Sequence, residues 1–127
     1  MNLLSKHEDN IYALLRIISG ALFTFHGIQK IFGWHATHDI IFGSQMWFGG
    51  VIELVGGLFI ILGFQTRIAA FLSSGTMAVA YVQFHWRFQF NENFFPAINH
   101  GDAALLYCFV FLFIASKGAG KWGLDKK

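Results

Sequence analysis

Four ionisable residues sit in or at the edges of the first two long apolar stretches of this chain: Arg16, His26, Lys30 and Glu53. Three more, His85, His100 and Asp102, flank later stretches. An ionisable group inside a membrane span costs about 2.5–3.5 kcal/mol on insertion scales, so it usually faces a bundle interior or a wet cavity. His26 and Lys30 are four residues apart and project from one helix face. Gly20, Gly27 and Lys30 fall within about 40° of Arg16 on a helical wheel, giving a polar stripe dimpled by glycine. Glu53 lies between Gly49-Gly50 and Gly56-Gly57, about a helical turn from each pair. Small residues let apolar helices approach closely, so the two stripes are expected to meet and carry Glu53 inward. A Glu53–His26 or Glu53–Lys30 pair is the expected contact, in the outer half of the membrane. Arg16 lies two to three turns away, nearer the inner headgroups. Such a cluster suits hydrogen bonding to a small oxygen-bearing ligand and proton exchange with it. It equally suits a structural ion pair that fixes helix register. Both readings stand at this point.

The elements that must position these groups follow from composition. Of 127 residues, 55% are hydrophobic and 13% charged, and mean hydropathy is +0.52. An ordinary soluble domain carries about 25% charged residues, and a chain this short has too little polar surface to cover so much apolar mass. Four apolar runs, at about 11–32, 46–64, 68–86 and 100–117, predict an all-α bundle of four transmembrane helices in a single domain. The fourth is uncharged only from Ala103 to Ser116 and needs its flanks to span. The first run contains Arg16 and lacks a small-residue cleavage site, so it is expected to stay as a span. Seven Lys/Arg (Lys6, Arg16, Arg67, Lys117, Lys121, Lys126, Lys127) fall on one side and two (Lys30, Arg87) on the other. The positive-inside rule then places both termini in the cytoplasm. Trp34, Trp47 and Trp86 mark the opposite interface. Arg67 reads as a topology anchor.

The outer loops carry His35, His38 and Asp39, and then a stretch, 86–95, in which Trp86, Phe88 and Phe90 alternate with polar residues. That alternation predicts an extended segment lying in the interface, as an anchor or a lid. The single cysteine, Cys108, precludes an intramolecular disulfide or dithiol site. No two histidines show i, i+3 or i, i+4 ligand spacing on a helix, His35 and His38 reading as loop residues, so no metal is expected. Ser73 and Ser74 read as packing residues. A net charge of +2 gives no reason to expect nucleic acid.

Four pieces of the sequence resemble the DoxX family of small four-helix membrane proteins. They are Arg16-x-x-x-Gly20 with His26-Gly27-x-x-Lys30-x-Phe32-Gly33; Glu53-x-x-Gly56-Gly57 through Leu62-Gly63-x-x-Thr66-Arg67-x-Ala69-Ala70; Asn99-His100-Gly101-Asp102-x-Ala104-Leu105-Leu106-Tyr107; and the tail Gly118-Ala119-Gly120-Lys121-Trp122-Gly123-Leu124-Asp125. Asp102 stands where the family often has Glu, and Gly123 where it often has Ser. The family takes its name from subunits associated with an archaeal terminal quinol oxidase and with thiosulfate:quinone oxidation; other relatives accompany oxidative-stress or thiol-handling partners. The resemblance implies redox-linked work in a prokaryotic cytoplasmic membrane. The expected pocket has Glu53, His26 and Lys30 at its centre and Asp102 nearby, with His85 and His100 also counted among its residues, and would take a quinone-like or other small oxygen-bearing ligand. Electrons would come from a partner subunit or a bound cofactor. The rival expectations are an assembly subunit without chemistry and a proton-coupled small-molecule transporter acting as a homodimer.

Overall fold

The computed structural model describes residues 2–126. Among them there is no β-strand, and six α-helices follow in order: α1 (Asn2–Ser5), α2 (Glu8–Phe32), α3 (Gln45–Leu62), α4 (Thr66–Ala80), α5 (Pro96–Asn99) and α6 (Asp102–Lys117). A wide π turn, Tyr81–Trp86, continues α4, and a 3-10 turn, Glu92–Phe94, precedes α5.

Local chemistry sets the ends of the helices. α2 opens with Glu8 and Asp9 and closes with Lys30, charges that suit the helix dipole. Gly33 then turns left-handed and returns its N–H to the Gln29 carbonyl. Ser44 caps α3 by accepting from the Trp47 N–H at 3.2 Å. Gly63 ends α3 in the left-handed conformation.

α2 and α3 meet at their glycines. A methyl group on Gly27 would fall on the Leu54 backbone, 2.7 Å from its Cα, and one on Gly57 would lie 2.7 Å from Thr24 N. The Thr24 hydroxyl turns back to donate to the Gly20 carbonyl at 2.7 Å. α4 packs on α6 through Ala69, Ala70, Met77, Ala104, Phe111 and Ile114. Phe23 joins the two halves, its ring 4.6 Å from Phe111 and 5.7 Å from Tyr107.

The distribution of side chains is inverted relative to a water-soluble domain. Arg16, Ser19, Thr24, Glu53, Thr66, Ser73 and Ser74 are buried, while Ile18, Leu22, Ile68, Phe71, Leu106 and Phe109 are each more than half exposed. Large apolar groups outside and small or polar ones inside suit a hydrocarbon solvent, in which close packing and hydrogen bonds hold helices together. α2 and α3 are each long and apolar enough to cross a membrane.

Two expectations need correction. Residues 86–95 are not extended. Trp86 ends the π turn, Arg87 and Phe88 are left-handed, and the Asn93 amide donates to the carbonyls of His85 and Trp86. The segment thus folds back into a knot in which the Trp86 ring sits 5.0 Å from Phe88 and 5.4 Å from Phe90. The helical run expected over 100–117 starts at Asp102, because His100 is left-handed and separates it from the Pro-initiated α5. Ser74 bonds the Cys108 carbonyl, as a packing residue should, but the buried Ser73 hydroxyl has no partner and fits into the space left by Gly56.

If the α2–α3 contact is glycine-limited, Gly27→Ala should lower stability by about 1–3 kcal/mol, the usual cost of overpacking. Gly75→Ala, where the added methyl meets open space, should be neutral or stabilising. Thermal unfolding in one detergent distinguishes the two; equal shifts would contradict the close approach.

Candidate functional site

The glycine contact places one ion pair. A methyl on Gly50 would lie 2.8 Å from the Lys30 Cβ, so a glycine there lets the Lys30 stem cross α3. The Lys30 ammonium then meets Glu53 Oε1 at 2.6 Å. The Glu53 side chain is 3% exposed and that of Lys30 28%. Glu53 Oε2 is buried without a hydrogen-bond partner. A buried carboxylate oxygen without a donor is costly, so Oε2 is left as an unsatisfied acceptor beside the ion pair.

The pair lines a groove of ≈ 540 Å³ between α3 and α4. Its walls are mostly apolar, from Phe48, Ile52, Phe71, Leu72, Met77 and Phe84, and Lys30, Glu53, Gln45 and His85 supply its polar groups. Gln45 bonds Gln83 at 2.6 Å across the end of the groove far from the C-terminal tail. His85 Nδ1 lies 3.1 Å from the Asn99 carbonyl. A carbonyl only accepts, so Nδ1 carries the proton, which leaves Nε2 an acceptor while the ring is neutral.

Asn99 holds this end together. It is buried, its amide donates to Tyr81 Oη and the Asn93 carbonyl, and its Oδ1 accepts the Gly101 N–H at 2.8 Å. The π turn brings His85 over Asn99. Sequence reasoning quoted Asn99 within a motif but gave it no role.

Two arginines do corresponding work at the opposite end. Arg16 is fully buried. It donates to the Ile60 and Ile61 carbonyls at 2.7 and 2.9 Å and to the Lys121 carbonyl at 2.9 Å. Arg67 donates to the carbonyls of Ala115, Ser116 and Lys117. Each arginine therefore donates to carbonyls in the last turn of a neighbouring helix, where intrahelical donors run out. The tail completes the arrangement. Tyr12 donates to the Gly118 carbonyl at 2.6 Å, and Leu124 and Asp125 N–H bond the carbonyls of Leu62 and Gly63. The Asp125 carboxylate accepts the N–H groups of Gln65 and Thr66 at 2.7 and 2.9 Å. Gln65 is left-handed and offers no side-chain cap, so Asp125 caps α4 from across the chain.

The DoxX family model matches residues 11–86. The chain belongs to the DoxX family. Two relatives are informative. One, an uncharacterized protein of Haemophilus influenzae, is 38% identical over 131 residues, covering 100% of this chain and 97% of its own length. The other, from Bacillus subtilis and named "Putative oxidoreductase CatD", is 35% identical over 75 residues, covering 54% of this chain and 55% of its own. No solved structure matches. This is thus a DoxX membrane protein, and the family match carries Arg16, His26, Lys30, Glu53, Arg67 and His85. The pieces around Asn99–Asp102 and Gly118–Asp125 lie beyond it.

Within this DoxX chain only some expected site residues converge. Lys30, Glu53 and His85 share the groove. His26 is exposed and turns its ring edge-on to Tyr107, 6.2 Å away, because Gly27 takes the contact position against α3. His100 and Asp102 are exposed at the break before α6 and do not line the groove. Arg16 does not reach the headgroups; the terminal carbonyls of α3 hold it inside. Arg67, expected as a topology anchor, caps α6. Among the described residues no three His, Cys, Asp or Glu side chains come together.

The Thr66 hydroxyl beside the carboxylate, and after it the Thr66 N–H and the Gln65 N–H, hold the Asp125 carboxyl below its ordinary value of 3.8. A carboxyl depressed by folding adds stability above its unfolded pKa and loses it as pH falls through the folded one. Lowering pH from about 5 to about 3 should therefore cost the wild type more than Asp125→Asn, which has already lost the charge. Parallel pH–stability curves would contradict the trans cap.

Proposed function

We propose that the chain is a four-pass, redox-linked subunit of a prokaryotic cytoplasmic membrane, both termini inside, that binds a lipophilic quinone-like molecule in the α3–α4 groove. The buried, unpartnered Glu53 Oε2 carries this reading.

The topology draws on helix lengths and charge. α2 rises about 37 Å, and α4 with its π turn about 30 Å, against a hydrocarbon core of about 30 Å. α3, at about 27 Å, nearly fits. α6 is short at about 24 Å, and Lys117, whose ammonium lies 4.6 Å from the Tyr12 ring centre, can snorkel from its end. The basic residues cluster at the end where Arg16, Arg67 and the tail meet, which the positive-inside rule assigns to the cytoplasm.

The groove suits a molecule with an apolar body and an oxygen-bearing head. Ile52, Phe71 and Leu72 would cover the body. Lys30 donates to an oxygen of the head, and Glu53 Oε2 accepts from a hydroxyl and exchanges a proton with it. His85, facing the groove at its outer end, offers Nε2 as the next proton acceptor. A bound quinone would supply two-electron, two-proton chemistry, its electrons exchanged with a partner subunit. The Bacillus subtilis relative's name supports the redox class.

Titration of the purified protein with a short-tailed ubiquinone analogue tests this. Saturable binding is expected. Glu53→Gln should weaken it about tenfold, as loss of a hydrogen bond to a charged group does. Gly75→Leu, which fills the groove from a position with room for a side chain, should abolish it without unfolding the protein. Absence of saturable binding, or binding indifferent to both variants, would favour an assembly subunit without chemistry.

A further inference from the structure

A second site lies at the end of the molecule away from the Lys30–Glu53 groove, where α4 begins and α6 ends. A cleft of ≈ 620 Å³ there is lined by Arg67, Lys117 and Lys126. Asp125 is the one acid among its lining residues, and the N–H groups of Gln65 and Thr66 occupy both its oxygens. The cleft therefore carries a positive excess. Arg67 spends three donor contacts on the α6 carbonyls, but a guanidinium has five N–H groups in a fixed fork, and Arg67 is exposed. Lys117 has one long contact to an acid, Glu8 at 3.8 Å on the exposed surface, and its ammonium lies 4.6 Å over the Tyr12 ring, so no carboxylate neutralises it closely.

Directly along the same face runs an apolar groove of ≈ 470 Å³ between α4 and α6, walled by Phe71, Phe109 and Phe113. The two adjoin. Ile68, at the lip of the cleft, is one helical turn from Phe71, and Ser116 in the groove adjoins Lys117 in the cleft. Phe71 is 63% exposed and Phe109 61%, and neither has an aromatic partner.

We infer that this face holds one anionic phospholipid, its phosphodiester in the Arg67–Lys117–Lys126 cleft and an acyl chain in the Phe71–Phe109–Phe113 groove. Charge selects the occupant. Several cations at the rim of an apolar channel match a negative headgroup joined to a hydrocarbon chain, and basic residues near an anionic lipid surface add affinity one by one. A basic cleft adjoining an aromatic groove suits an amphiphile better than a free anion, which would leave the groove empty. The inference holds for either orientation of the chain in the membrane and does not depend on the ligand proposed for Glu53.

Thermal unfolding of the full chain in mild detergent, titrated with lipid, tests it. Phosphatidylglycerol should stabilise at low mole fraction and phosphatidylcholine with the same chains should not. Lys126→Gln should weaken the phosphatidylglycerol response about fivefold. Lys6→Gln, which removes the same charge outside the cleft, should leave it unchanged. Phe109→Ala, at an exposed position, should weaken the lipid response while the protein still folds. Equal titration by the two lipids, equal loss in the Lys6 and Lys126 variants, or full stabilisation by inorganic phosphate alone would each overturn the site.

Discussion

A carboxylate inside an apolar bundle survives only if a cation reaches it, because desolvating an uncompensated charge costs several kcal/mol. In this chain that requirement shapes the whole α2–α3 contact. Gly27 lets the two backbones touch, Gly50 clears a path for the lysine stem, and the Lys30 ammonium closes on one oxygen of Glu53. Larger residues at these glycines would push the helices apart and strand the charge. The helix spacing is therefore bound to the ion pair, and the groove beside it inherits its shape from both. What the pair does not satisfy is the second carboxylate oxygen, and the functional reading rests on that remainder.

The two ends of the molecule meet their hydrogen-bonding obligations differently. At the tail end, Arg16, Arg67 and Asp125 satisfy exposed helix termini from across the chain, tying α2, α3, α4, α6 and the last residues into one unit. At the other end, Asn99 and Asn93 gather the loop and the π turn by side-chain amides, leaving His85 at the mouth of a groove that stays open.

Much of this was legible in sequence because it followed from periodicity and side-chain size. The all-helical class, the glycine faces of α2 and α3, and an inward Glu53 facing His26 or Lys30 all followed from spacing that a helix fixes; the choice of Lys30 did not. Other features depended on tertiary partners. The i, i+4 relation of His26 and Lys30 was correct, yet His26 leans toward Tyr107 of α6, which helix geometry alone does not specify. The arginines looked like inner-side anchors because charge counts carry no information about which carbonyls lack donors. Asp125 and Asn99 were visible only as motif letters, since their partners lie about 60 residues away for Asp125 and in a neighbouring turn for Asn99. The alternation of Trp86, Phe88 and Phe90 mimicked a strand because two left-handed residues and the Asn93 bonds, not periodicity, decide that loop.

The most direct test of the central claim is a double-mutant cycle on the pair, read as thermal stability in one detergent. Lys30→Met alone should be strongly destabilising, by about 2 kcal/mol, since it leaves Glu53 buried without its cation. Adding Glu53→Leu should restore most of that loss, because the orphaned carboxylate is gone. Additive losses in the double variant would mean that the two side chains do not depend on one another, and the account of the α2–α3 contact and of its open groove would fail.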